Sequence, residues 1–155
     1  MDDLNFAILT HLQVDGRKPF TEIAKALDVS EGTVRNRVAK MTADKTLQII
    51  GLIDPHQAGF ECPALIYVSV EPQLTEAAIE EISTFPEVSY LLSIAGDFDL
   101  LVEVMCRNRD NLSDFVTHRL RKVTGVQDTQ TTFILKTHKV VQPDLNLIKS
   151  MAMQK

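Results

Sequence analysis

The sequence predicts an α+β protein in two parts, a winged helix-turn-helix followed by a ferredoxin-like βαββαβ sandwich. Three observations predict it. Residues 21–45 read as two short helices joined by a tight turn. The apolar pattern then changes from helical spacing to a β-prone run at Leu47. From Ala64 onward, alternating segments and helical segments follow one another in the order βαββαβ, which is the split βαβ arrangement.

The elements can be justified in order. Leu4, Ile8 and Leu12 line one face of a first helix from about Leu4 to Val14, with Phe6, Ala7 and Leu9 widening it. Asp2 or Asp3 caps its start, and Asp15-Gly16 ends it. Pro19 suits the first turn of the next helix. In that helix Ile23, Ala24 and Leu27 share a side. Asp28 tolerates the left-handed backbone of a sharp exit, where Gly would do better. Val29 plugs the turn, and Ser30 is a good N-cap for a helix from Glu31 to about Asp44. Leu47 to Ile53 suggests a short hairpin, the wing, closed by Asp54-Pro55. The expected boundaries are a head over 1–53, a linker over 54–63, a sandwich over 64–136 and a tail over 137–155.

Within the sandwich, Ala64 to Glu71 alternates as a strand. Thr75 to Phe85 is a one-sided helix with Thr75 as a candidate cap, stopped by Pro86. Val88 to Ala95 and Leu100 to Met105 are strands around a Gly96-Asp97 turn. Leu112, Phe115, Val116, Leu120 and Val123 mark a helix over Asn111–Val123 that Gly125 ends, and Val126 to Leu135 is the last strand. Two helices cover one sheet face. The other face needs a partner, so a homodimer is expected.

Composition narrows the function. No apolar run approaches the roughly 20 residues needed to span a bilayer. The start, Met1-Asp2-Asp3, is acidic with no signal-type apolar core behind it, so the expected location is the cytoplasm. Cys62 and Cys106 lack Cys-x-x-Cys spacing and read as two reduced, half-buried thiols. No cofactor or metal is expected. The net charge of -5 argues against a general nucleic-acid coat. Yet residues 1–60 hold 7 Lys/Arg against 8 Asp/Glu, and the remainder 9 against 13. Arg35, Arg37, Lys40 and Lys45 therefore form a local basic patch on an acidic chain, which fits selective DNA binding by paired copies.

The second helix of the pair sorts its faces. At roughly 100° per residue, Val34, Val38 and Met41 form an apolar stripe, while Gly32, Arg35, Asn36, Ala39 and Lys40 lie opposite or on its flanks. Arg and Asn are the side chains that pair bidentately with guanine and adenine edges, and Gly32 and Ala39 let the backbone come close. Arg37, beside the stripe, suits a phosphate or a structural ion pair. The DNA-binding set is Ser30, Gly32, Thr33, Arg35, Asn36, Arg37 and Lys40.

Nearly the whole chain resembles the Lrp/AsnC family of bacterial and archaeal transcription regulators. The resemblance runs through Leu12-Gln13-Val14-Asp15-Gly16-Arg17, Glu22-Ile23-Ala24, Val29-Ser30 and Arg37-Val38. It is strongest at Gly96-Asp97-Phe98-Asp99-Leu100-Leu101-Val102 and ends at Gly125-Val126-Gln127-Asp128-Thr129-Gln130-Thr131. It implies a DNA-reading head on double-stranded DNA and a second domain that forms homodimers, which assemble further up to octamers. It also implies a small effector, usually an amino acid, bound between dimers. By position, the effector residues are Gly96, Asp97, Asp99, Thr129 and Thr131. Asp97 or Asp99 would accept the ammonium, and backbone N–H groups and the Thr hydroxyls would meet the carboxylate. The chain departs from the family pattern at Asn5, where Asp is common, and at Asp28 and Lys45, where Gly is usual.

Two other readings compete. A ligand-sensing oligomer without DNA binding would have lost the basic side chains that Arg35, Arg37 and Lys40 retain. A branch of the same family is thought to decarboxylate siroheme, but His11, His56, His118 and His138 are scattered without metal-ligand spacing.

Overall fold

The computed structural model describes residues 1–142 and 144–147. Of the tail expected over 137–155, Pro143 and residues 148–155 lie outside the described residues. The chain divides into two compact units. One holds Met1–Leu52 with the described part of the segment from Lys139, and the other holds Ile53–His138.

The first unit is three helices, α1 (Asp3–Val14), α2 (Phe20–Ala26) and α3 (Glu31–Ala43). Asp2 caps α1 by accepting the Asn5 N–H at 2.8 Å. Pro19 sits one place earlier than expected, at the N-cap of α2, where its carbonyl accepts from Glu22 and Ile23. Ile8, Ile23 and Val34, one from each helix, are fully buried and centre the core, with Leu12, Ala24, Val38 and Met41 around them. Leu145 packs on the same core, and its N–H bonds the Gln13 side chain at 3.3 Å.

The expected wing does not form. Residues 47–53 pair with no strand; only Leu47 packs on the core, and Ile49, Ile50, Leu52 and Ile53 are exposed. A β-prone sequence is half of a hairpin, and Gly51 supplies no tight turn between two such halves here. Leu47 is instead held by the helix end, its N–H bonding Met41 O at 2.9 Å.

The second unit is an antiparallel sheet of β1 (Cys62–Val70), β2 (Val88–Ser93), β3 (Leu100–Cys106) and β4 (Val126–Phe133), in the order β2-β3-β1-β4. Helix α4 (Thr75–Ser83) follows β1, and α5 (Arg109–Asp114) follows β3. The alternation of β1 and β3 puts Ala64, Ile66, Val68, Leu100, Val102 and Val104 into one core with Ala78, Ile82, Leu112, Phe115 and Leu120. Cys62 and Cys106 are buried rather than half-buried and sit opposite each other in register, with free thiols. Thr75 is not the cap of α4; Leu74 holds that position, and the Thr75 hydroxyl turns back to Glu71 O and Pro72 O.

The helix expected over Asn111–Val123 is three pieces. α5 passes into a π-helical stretch, Phe115–Arg119, and a 3-10 turn, Leu120–Lys122. The spacing explains it. Phe115 and Leu120 are five apart and both buried, which a wider turn places on one face. Gly125 then turns the chain at φ +93, and a Cβ there would stand 2.6 Å from Leu74 Cβ.

Candidate nucleic-acid interface and effector turn

Helix α3 presents one face by burying the other. Ser30 Oγ accepts the Thr33 N–H at 3.0 Å and lies 2.8 Å from Thr33 Oγ1, which fixes the first turn. Ahead of it, α2 ends with Asp28 at φ 53, and the Val29 N–H reaches back to Ala24 O at 3.0 Å. That bond and the left-handed residue make a Schellman-type end, which sets the angle between α2 and α3. With Val34, Val38 and Met41 buried, Gly32, Arg35, Asn36, Ala39 and Lys40 lie on the remaining surface of the helix, and all five are exposed. Thr33 is half-buried at the start of the same helix.

The two arginines differ. Arg35 pairs with Glu31 one turn earlier and lies 5.8 Å over the Phe20 ring, yet 63 % of its side chain is exposed. Arg37 turns to α1, pairing with Asp2 and donating to Asn5 Oδ1 at 3.1 Å. Of its two sequence readings, the structure gives the ion pair. The Arg37 guanidinium, helped by the Asn5 N–H, holds the Asp2 carboxyl below its ordinary 3.8. Asp44, at the far end of α3, is likewise lowered by hydrogen bonds from Thr46, with Lys40 contributing. Lys45 follows at φ 61.

Sequence reasoning missed all four partners of the two arginines, Glu31, Phe20, Asp2 and Asn5. Glu31 could have been found from its i,i+4 spacing to Arg35. Asp2 and Phe20 carry no comparable signal, since Asp2 meets Arg37 across 35 residues.

The Gly96 turn sits between β2 and β3. Gly96 is at φ +153, where a side chain would be strained, though its surroundings are open. Asp97 is exposed. Asp99 holds the backbone in place. Its Oδ2 accepts the Val70 N–H at 2.8 Å, while its own N–H donates to Val68 O at 3.0 Å. The turn is thereby pinned to the end of β1. Phe98 packs against Tyr67, ring centroids 5.6 Å apart.

Thr129 and Thr131 stand apart from that turn. They pair with Val68 and Ile66 across β1, so they share the helix-covered face of the sheet. Two strand spacings, about 10 Å, separate β4 from β3. The structure thus brings Gly96, Asp97 and Asp99 together and leaves Thr129 and Thr131 on a separate edge. Among the described residues no cluster of three His, Cys, Asp or Glu could hold a metal ion, and no helix is long and apolar enough to cross a membrane.

Known proteins match both units. Residues 1–42 match the AsnC-type helix-turn-helix domain, and residues 63–143 match the Lrp/AsnC ligand binding domain. An uncharacterised HTH-type transcriptional regulator of Pyrococcus horikoshii is 33% identical over 140 residues, covering 90% of this chain and 89% of that protein. One of Pyrococcus furiosus is 35% identical over 140 residues, covering 90% of this chain and 95% of its own. The chain belongs to the Lrp/AsnC family.

Solved Lrp/AsnC proteins share its architecture. The leucine response regulatory protein LrpA of Mycobacterium tuberculosis superposes with TM-score 0.85 at 24% identity, covering 92% of this chain and 98% of that one. A transcriptional regulator of Neisseria meningitidis, solved as its L-Met complex, superposes with TM-score 0.78 at 26% identity, covering 95% and 99%. This Lrp/AsnC chain is accordingly an HTH-type transcription regulator, with a helical head and an antiparallel four-stranded α+β domain.

Proposed function

We propose that this regulator reads duplex DNA with the outer face of α3 and answers to an amino acid held by its α+β domain. The observation that carries the reading is the sorting of α3. Its apolar stripe is buried, while Arg35, Asn36 and Lys40 face away from it beside the small Gly32 and Ala39. Arg35 and Asn36 meet base edges, Lys40 meets phosphate, and Ser30 and Thr33 lie at the helix start where a phosphate approaches. Arg37 braces α3 against α1, a role its bonds to Asp2 and Asn5 support better than a phosphate contact.

Two heads are needed, because one small basic patch binds weakly. The open face of the sheet supports the pairing. Leu65, Tyr67, Leu101, Tyr90 and Leu92 point there by register, and Tyr90 and Leu92 are exposed. A homodimer through this face puts two heads on two half-sites, and dimers assemble further, up to octamers. An amino acid sits between dimers at the Gly96–Asp97 turn, in keeping with the L-Met complex of the Neisseria relative. Asp97 is an exposed acceptor for its ammonium, while Asp99, also exposed, holds the turn through the Val70 N–H. Thr129 and Thr131 serve from their own edge, so a site using both needs a second subunit. The effector acts by binding one assembly better than another.

Fluorescence anisotropy on the protein's own upstream duplex and on a shuffled duplex tests the DNA reading. The expected preference for the upstream duplex is about 10³-fold at physiological salt. Equal affinity for the two duplexes would contradict it.

A further inference from the structure

Cys62 opens β1, Cys106 closes β3, and the two stand directly opposite each other in the antiparallel register. Opposite residues point to one face of a sheet, here the helix-covered one, where both thiols are buried and free. In any such pair the Cα atoms are about 4.5–5.5 Å apart, inside the span that a disulfide bridges. The Cβ atoms are also about 4.5–5.5 Å apart and need to close by at most about 1 Å to reach bonding range. Both residues end their strands, where a ladder yields most easily. One step further out the Glu61 N–H still donates to Arg107 O at 3.3 Å, so the pair stays aligned.

Each cysteine borders a cleft wide enough for a small oxidant. Cys62 lines one of about 450 Å³ together with His56, Glu61 and Arg109, and Cys106 lines one of about 420 Å³ together with Glu87 and Arg119. The two thiols differ in chemistry. Burial, with Glu87 and Cys62 adding to it, pushes the Cys106 thiol up to about 11, so it stays protonated. The cleft of Cys62 carries the cationic Arg109 and the basic His56 against one carboxylate, Glu61, and cationic surroundings favour the thiolate. Cys62 is therefore the thiol that meets the oxidant, and Cys106 the one that resolves it.

We propose that Cys62 and Cys106 are a peroxide-sensing dithiol, in which a hydroperoxide oxidises Cys62 and Cys106 closes an intrachain disulfide. The Cys62 thiolate attacks one peroxide oxygen, the O–O bond breaks, and the other oxygen leaves with a proton. The Cys106 sulfur then attacks the Cys62 sulfenic acid. The S–S bond forms, the S–O bond breaks, and the hydroxyl departs as water with the Cys106 proton. With hydrogen peroxide, the two thiols lose two electrons and the peroxide is reduced to two waters. The product ties the first residue of β1 to the last of β3. The site lies at the other end of β3 from the Gly96 turn and uses none of the effector residues.

The test treats the reduced 155-residue chain with hydrogen peroxide, quenches with catalase, alkylates in denaturant with N-ethylmaleimide and maps peptides without reductant. Both thiols should be lost to alkylation, a peptide joining Cys62 to Cys106 should appear in monomeric chains, and dithiothreitol should restore both thiols. Cys106→Ala should form no bridge and leave a Cys62 sulfenic acid that dimedone captures. In Cys62→Ala, Cys106 should remain open to alkylation. Alanine keeps each buried position small and apolar, and the wild-type result decides the matter if either variant fails to fold. Oxidation of the wild-type chain should proceed at the same rate in urea concentrations below the unfolding transition. A rate that climbs with urea in step with unfolding would mean that the bridge forms only in the unfolded chain, and overturns the proposal. So do thiols that stay fully open to alkylation after peroxide, a bridge found only between chains, or dimedone capture at Cys106 in Cys62→Ala.

Discussion

Two neighbouring carboxylates, Asp97 and Asp99, look interchangeable in the sequence and are not. Both are exposed, but the Asp99 carboxylate accepts the Val70 N–H at 2.8 Å. Asp99→Ala should cost about 1–2 kcal/mol in urea unfolding. Asp97→Ala should stay within about 0.5 kcal/mol of wild type and lose the heat of amino-acid binding at the Gly96 turn in calorimetry. Equal stability losses in both would contradict this division. Asp2 gives a second test through pH. Its folded-state carboxyl is held below the ordinary 3.8 by Arg37. A lowered value means the contribution is present above the ordinary value and is lost as pH falls through the folded one. Asp2→Asn keeps the cap and removes the charge. Its melting temperature should lie below wild type by a constant amount from about pH 7 to 5, and the gap should close below about pH 4. A gap that persists in acid would assign the effect to packing.

At the level of elements, helix ends decide the head. Asp28 at φ 53 and Lys45 at φ 61 are the non-Gly residues at positive φ among the described residues. Both stand where the family usually has Gly, and the backbone supplies the reason: an L side chain in the left-handed region is strained. Lys45→Gly should therefore gain about 0.5–1 kcal/mol and raise the melting temperature by about 1–4 °C. A lower melting temperature would mean that the Lys45 side chain makes a contact worth more than the strain. Other elements were less legible. The run from Leu47 to Ile53 has strand composition, but composition names no partner, and in the described chain the run stays unpaired. The helix after β3 kept its apolar residues, yet the step of five from Phe115 to Leu120 announced the π turn that a fixed period conceals.

For the whole molecule, periodicity carries the larger part of the architecture. Helical spacing to Ala43, then alternation from Cys62, decides which faces are buried, and burial decides which sheet order builds a common core. The outer face of α3 was legible for the same reason, since three buried residues at helical spacing leave the others outside. Contacts between distant residues were not. Nothing in the sequence joins Asp2 to Arg37 or Glu87 to Arg119, because each pair is more than 30 residues apart and made by tertiary packing. Nor did position along the chain show that Thr129 and Thr131 share the helix-covered face rather than the turn. The central claim is that the exposed side of α3 reads DNA, with Arg35 on bases and Lys40 on phosphate. The most direct measurement is the affinity of Arg35→Ala and Lys40→Ala for the upstream and shuffled duplexes. Arg35→Ala should lose about 1–3 kcal/mol on the upstream duplex alone, while Lys40→Ala should weaken both duplexes alike and lower the salt slope by about one. If both variants bind both duplexes as tightly as wild type, α3 is not the reading helix.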